Sequence, residues 1–277
     1  MAWWIYVLFV LGLLVLIYNL SHDGRYYIRI SWYYITILLH GIECLFTMIP
    51  SYFQCAGADL IFHGFRYWSF WTGIKYDVRG YEEHLEHNDQ PAVVICNHQS
   101  AIDVIGMCHV WPPRTVVMMK RSLNYVPFFN LTSHLAHSIF VDRFNKNKAL
   151  STVDHTVEQM ISKRHKLFVF PEGTRNHKGG LLPFKKGAFN IAVRAQIPII
   201  PIVLSDYKPF YSKKDKYFES DGFVIAEVMK PIETKGLSLN DVEKLADDTR
   251  EAMLKVLNRI SPEAKAVMEK NRKAKAI

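Results

Sequence analysis

Asn97-His98-Gln99-Ser100-Ala101-Ile102-Asp103 sets a histidine and a carboxylate five residues apart. If they pair, the carboxylate accepts the Nδ1 proton, fixes the tautomer and leaves Nε2 free to take a proton from a hydroxyl. In one straight helix five residues rotate by about 500°, which leaves the two side chains roughly 140° apart. They meet only if His98 stands in a turn before the helix and its ring folds back toward Asp103. The alternative is a turn histidine beside an aspartate that is favourable at a helix N-terminus in any case. The flanks suit a turn. Ala92-Val93-Val94-Ile95-Cys96 is short, apolar and rich in β-branched residues, as a buried strand is, and residues 104–110 form an apolar helical segment with Ser100 as a potential cap.

A second constellation is Phe170-Pro171-Glu172-Gly173-Thr174-Arg175. Gly173 allows a tight turn with exposed backbone N–H groups, and the Arg175 guanidinium can hold a phosphate through two hydrogen bonds. Glu172 can accept from a hydroxyl or orient Arg175. The alternative is a strand-end turn with a surface ion pair. Val141-Asp142-Arg143 ends another strand and could bring a second arginine to the same edge. Ligands of open α/β sheets lie beyond the carboxyl ends of strands, where the His98, Arg143 and Glu172 segments all fall. Ile197-Pro198-Ile199-Ile200-Pro201-Ile202 carries two prolines, which predicts an edge or bulged strand that either walls a groove for a hydrocarbon chain or is simply core. The basic loops at Lys120-Arg121 and Lys185-Lys186 fit solvated faces. His134 and His137 lack an obvious third ligand, so no metal site is predicted. A Gly-x-Ser-x-Gly elbow and a P-loop are both missing, which weakens a serine hydrolase and an NTPase.

The elements that position these residues follow from composition and periodicity. The chain has 277 residues, 49% of them hydrophobic, and a formal net charge of +8, so anionic partners are expected. Aromatic residues concentrate in an apolar N-terminal region, which argues for membrane lipids and against nucleic acid. Cys44, Cys55, Cys96 and Cys108 show no paired spacing, as in a reducing compartment. Residues 2–20 are apolar and uncharged, with Trp3, Trp4 and Tyr18 near the ends, and are long enough to span a bilayer. A polar break at 21–29 precedes a second apolar stretch, 30–53, which holds His40 and Glu43. That stretch is a span, a re-entrant helix or an interfacial helix. Residues 56–72 fit an amphipathic interfacial segment.

From residue 73 strands and helices alternate. Strands are predicted near 74–78, 92–96, 115–119, 138–141, 167–170, 197–204 and 223–228. Helices are predicted near 104–110, 127–135, 148–161, 187–195 and 239–260. This is an α/β domain around a mostly buried mixed sheet, preceded by N-terminal membrane helices. Three regions result: membrane-anchoring helices at 1–72, a catalytic domain at 73–260 and a mobile basic tail at 261–277.

Together these segments resemble the glycerolipid acyltransferase family, in its eukaryotic 1-acylglycerol-3-phosphate (lysophosphatidate) branch. The family's N-H-x-x-x-x-D block is matched by Asn97, His98 and Asp103. Its strand ending in Asp-Arg is matched by Phe140-Val141-Asp142-Arg143, its Glu-Gly-Thr-Arg block by Glu172 to Arg175, and its apolar proline-containing strand by residues 197–203. One departure is His137, where the family usually has glycine. The resemblance implies acyl transfer from acyl-CoA to the sn-2 hydroxyl of 1-acylglycerol-3-phosphate, giving phosphatidate. His98 would be the general base and Asp103 would hold it. Arg143, Glu172, Gly173, Thr174 and Arg175 would surround the acceptor phosphate, and Pro201 would help shape the acyl-CoA site. The backbone N–H groups of Gln99 and Ser100 are candidate oxyanion donors. No metal or cofactor is implied, because acyl-CoA is a co-substrate. The last five residues, Lys273-Ala274-Lys275-Ala276-Ile277, resemble a dilysine retrieval signal, which implies the endoplasmic reticulum membrane. Two alternatives stay open: the same chemistry on glycerol-3-phosphate or another lysophospholipid, and an inactive lipid-binding or membrane-shaping protein.

Overall fold

The computed structural model describes residues 3–49, 57–125, 129–141 and 146–275. Seven strands build one sheet: β1 (Lys75–Arg79), β2 (Val93–Cys96), β3 (Thr115–Lys120), β4 (Ile139–Val141), β5 (Lys166–Val169), β6 (Ile199–Leu204) and β9 (Phe223–Val228). Between β6 and β9 a small antiparallel pair, β7 (Tyr211–Ser212) and β8 (Tyr217–Phe218), forms a hairpin absent from the expected strands. The sheet order is β1-β9-β6-β2-β5-β3-β4. Every neighbouring pair is parallel except β6 and β9, so β1 and β9 run against the other five. The alternation of strand and helix therefore gives the mixed α/β sheet it predicts.

β2, β5 and β6 are buried along their whole length. Their sequences are continuous apolar runs with little alternation, which a strand covered on both faces requires. Successive residues still point to opposite sides. Val94, Cys96, Ile200 and Ile202 join one core with α4 (Asp103–His109), while Val93, Ile95, Ile199 and Val203 join another with α7 (Lys186–Ala195) and α8 (Val242–Lys275).

The proline-containing strand is not at an edge. β6 lies between β2 and β9, with Ile95 opposite Pro201. The proline is tolerated because its missing N–H points toward β9 one residue beyond the last antiparallel rung, Ile202 with Val228. On that side Pro201 need only accept, and the Met229 N–H donates to its carbonyl at 2.8 Å.

α1 (Trp3–Leu20) has no buried residue. α2 (His22–Met48) follows after one residue, so the break expected over 21–29 is confined to Ser21. The Ser21 hydroxyl caps the helix by accepting from the Gly24 N–H at 3.0 Å. Arg29 is useful inside it: its Nη2 donates to the Thr72 carbonyl at 3.1 Å, and its guanidinium lies 4.9 Å from the Phe218 ring centre. Both helices are long and apolar enough to cross a membrane. α2 buries Tyr26, Ile30, Tyr33, His40, Cys44 and Met48 on one face, while Trp32, Leu38 and Phe46 lie exposed on another. α3 (Gly57–Trp68) is the amphipathic segment expected, though it is wedged against α2 and α4. His40 and Glu43 form the joint, with His40 Nε2 at 2.8 Å from the Ile61 carbonyl and the Trp68 indole donating to Glu43 at 2.7 Å.

The link into the sheet passes through Gly73 at φ 72°, where a Cβ would stand 1.9 Å from the Ser220 carbonyl oxygen. At the other end the expected mobile tail is instead helical, because α8 continues through Pro262 to Lys275. Ile260, Ala264 and Met268 recur every four residues and are buried, which anchors this basic stretch from below. Glu263 also pairs with Arg79 at 2.6 Å, and Arg272 with Asp221.

Candidate active site

The site is built outward from the end of β2. The buried Asn97 side chain accepts from the Leu204 N–H at 2.8 Å and donates to the Leu204 carbonyl at 2.9 Å, so it extends the β2–β6 ladder by one rung. Gln99 donates to the carbonyls of Leu204 and Ser205 and accepts from the Tyr207 N–H at 3.2 Å. His98 stands between these two amide clamps, in a turn and outside the helix. Its ring folds back as the spacing requires, with Nδ1 at 2.6 Å from Asp103 Oδ2. The same oxygen accepts from the backbone N–H groups of Gln99 at 2.7 Å and Ser100 at 3.0 Å. Asp103 opens α4 and is 1% exposed, so three donors and a helix N-terminus hold its charge. With a carboxylate as acceptor the proton sits on Nδ1, and Nε2 presents the free lone pair. Phe170 stacks on the imidazole at 4.0 Å. Tyr33 of α2 is buried and donates its hydroxyl to the Ala101 carbonyl at 2.9 Å, so the apolar N-terminal region braces this turn directly.

Glu172 is brought beside His98, where backbone amides take up both of its carboxylate oxygens. One carboxylate oxygen accepts from the His98 N–H and the other from the Leu182 N–H, each at 2.8 Å. Burial pushes its carboxyl above the ordinary range, and the two amides pull the other way. Its position makes it a tie between the two turns. Asn176 adds a second tie, its N–H donating to the His98 carbonyl at 2.7 Å and its side chain to the carbonyls of Gly179 and Gly180.

Gly173 takes φ 68°, the left-handed turn that its place in the motif implies. Thr174 and Arg175 follow, both exposed, and Arg175 has no ion-pair partner among the described residues. Pro201 is buried on the sheet face opposite α4, two residues from Ile199 and Val203, and is not among the groups gathered at this edge. Arg143 lies outside the described residues. His137 takes a left-handed backbone, φ 52°, a conformation that favours glycine. The N–H groups of Gln99 and Ser100 are already engaged by Asp103, which removes them as oxyanion donors in this geometry.

A Caenorhabditis elegans protein provisionally named as a 1-acyl-sn-glycerol-3-phosphate acyltransferase is 53% identical, over 95% of this chain and 92% of its own length. The chain belongs to the 1-acyl-sn-glycerol-3-phosphate acyltransferase family. The human alpha member is 44% identical over 70% of this chain and 67% of its own. The Acyltransferase family model matches residues 76–205, which hold both turns. The crystal structure of the Thermotoga maritima family member, a 1-acyl-sn-glycerophosphate acyltransferase, superimposes with a TM-score of 0.61 at 22% identity, covering 92% of this chain and 97% of that one, and so shares the fold.

Several positioning residues of this family member escape sequence reading. Gln99 and Asn176 act through partners that are close only in the fold, and only their adjacency to the two motifs marks them. Tyr33 lies 68 residues from Ala101, and its apolar setting hides the polar contact.

Proposed function

We propose that this protein transfers an acyl group from acyl-CoA to the sn-2 hydroxyl of 1-acylglycerol-3-phosphate, yielding phosphatidate and free CoA. The observation that carries the reading is the 2.6 Å contact between His98 Nδ1 and a fully buried Asp103. His98 Nε2 takes the hydroxyl proton as the oxygen attacks the thioester carbonyl, and Asp103 stabilises the imidazolium that forms. When the tetrahedral intermediate collapses, the C–S bond breaks and the imidazolium returns the proton to the departing thiolate. The hydroxyl is itself the nucleophile, so no acyl-enzyme is needed. Arg175, with Arg143, supplies positive charge for the acceptor phosphate. Gly173 and Thr174 shape the turn that presents it, and Glu172 fixes that turn against His98. Any part of Pro201 in acyl-CoA binding is indirect, through the sheet.

The setting is a membrane. α1 and the exposed face of α2 suit a bilayer. Both substrates carry acyl chains, and keeping them in lipid avoids exposing CH₂ groups that each cost about 0.8 kcal/mol in water.

Transfer from radiolabelled oleoyl-CoA to lysophosphatidate in liposomes, with wild type and His98→Ala, tests this. Phosphatidate from wild type and none from the variant is expected. Equal product from both would remove His98 from the chemistry, and no product from folded wild type would move the acceptor elsewhere.

A further inference from the structure

A phosphomonoester carries about −1.5 to −2 charge at neutral pH, more than the exposed Arg175 guanidinium balances by itself, and Arg143 lies outside the described residues. The β7–β8 hairpin adds charge at the same edge. Its turn, Ser212-Lys213-Lys214-Asp215-Lys216, holds three lysines in four positions. A solvated loop would explain lysines alone, but this turn is built. The Ser212 hydroxyl donates to Asp215 Oδ2 at 2.7 Å and accepts from the Asp215 N–H at 3.1 Å. The Tyr217 hydroxyl donates to the Lys208 carbonyl. Lys216 pairs with Asp23, in the first turn of α2, at 2.5 Å. Tyr211 and Phe218 are buried beneath it.

The hairpin's own acid is thus spent on its turn, and Asp23 is spent on Lys216. Lys213 and Lys214 are exposed and have no ion-pair partner among the described residues. They line a groove together with Gln99 and Ser100, the two residues after His98, and with His177 and Lys208. One carboxylate, Asp206, also lines it, and it accepts from the Lys208 N–H at 3.0 Å. Lys208, Lys213 and Lys214 line this groove, and Arg175 stands two residues before His177 in the chain. His177 is held below its ordinary pKa by burial first, then by the charges of Lys213 and Arg175.

We propose that Lys213 and Lys214, together with Arg175, form the site that binds the phosphomonoester of the acceptor. The inference rests on the acyltransferase reading above. It selects the acceptor for a geometric reason. In 1-acylglycerol-3-phosphate the attacking hydroxyl and the phosphate are a few bonds apart, whereas the phosphates of CoA are separated from the thioester by the whole pantetheine arm. A groove that begins one residue after the base fits the first and not the second. Acceptors whose phosphate is a diester are bound less well, because they bring less charge to three cations.

The full-length protein in detergent tests this with a Lys213→Ala/Lys214→Ala variant and a Lys213→Arg/Lys214→Arg variant. The alanine pair is expected to raise the KM for lysophosphatidate by roughly tenfold, the equivalent of about 1.4 kcal/mol. It should leave the KM for oleoyl-CoA nearly unchanged, and the arginine pair should recover most of the loss. An unchanged lysophosphatidate KM, or a rise confined to oleoyl-CoA, overturns the proposal. Broadening of the inorganic phosphate signal in ³¹P NMR gives a readout independent of turnover. If wild type proves inactive on lysophosphatidate, the acyltransferase reading fails by itself. Phosphate binding lost in the alanine pair would still support the site, and equal binding would overturn it.

Discussion

The turn after β2 and the turn after β5 lie side by side, tied by Glu172 and Asn176, yet they treat charge in opposite ways. In the first, Asp103 is 1% exposed and takes three donors. In the second, Arg175 stands in solvent without a counter-charge among the described residues. The contrast separates two tasks. A pair that moves a proton must be fixed before the substrate arrives, because reorganising it during reaction would raise the barrier. A cation that binds a ligand's charge must be left unbalanced, or the ligand would have to displace a partner first.

The sharpest way to break this contrast is His98→Ala. The rate should fall by at least about 10²- to 10⁴-fold, with thermal unfolding little changed. A variant that loses stability as much as rate would make His98 a structural residue. Glu172→Ala comes next. It strands two half-buried amides, each costing about 1 kcal/mol, and should lower the melting temperature by several degrees. Glu172→Gln keeps an acceptor for one of them and should fall between. Arg175→Ala is smaller and of another kind, raising the lysophosphatidate KM roughly tenfold, with kcat and melting temperature nearly kept. A large loss of stability there would erase the distinction between the two turns.

The smallest effect at neutral pH comes from outside both turns. His109 and His165 are pushed down to about 4, chiefly by burial and then by the charge of Arg66 for His109 and of Lys163 for His165. Between about 6.5 and about 4 the unfolded chain therefore binds more protons than the folded one. Stability is full above that window and falls as the pH drops through it. Urea unfolding at a series of pH values should show the midpoint declining below about 6.5, and His165→Gln should flatten the decline.

How much of this was legible in the sequence depended on the range of the forces involved. The His98–Asp103 pairing was readable as a condition, because helix geometry admits only one way for residues five apart to meet across a turn. The central strands were readable because continuous apolar runs have few other uses. Pro201 misled because a lost N–H says nothing about which side of the strand it faces. Residues 261–275 misled because their basic surface hid the buried spacing of Ile260, Ala264 and Met268. The charge of Glu172 is visible in the sequence, but the two amides that its carboxylate accepts from are brought to it by other segments. Ser21 and Arg29 looked like a break because a cap and a buried guanidinium contact depend on neighbours that sequence does not display.

The order of the strands also sets a timetable for synthesis. β1 is made early, but it is an edge strand and its sheet neighbour is β9. About 150 residues separate them, so at roughly 5–20 residues per second β1 waits on the order of ten seconds after it leaves the ribosome. During that time α1 to α3 are already outside, and the strand beside them has no ladder partner. A nascent chain is thus committed at its N-terminal helices well before its sheet can close. The sheet closes only once residues 223–228 have emerged.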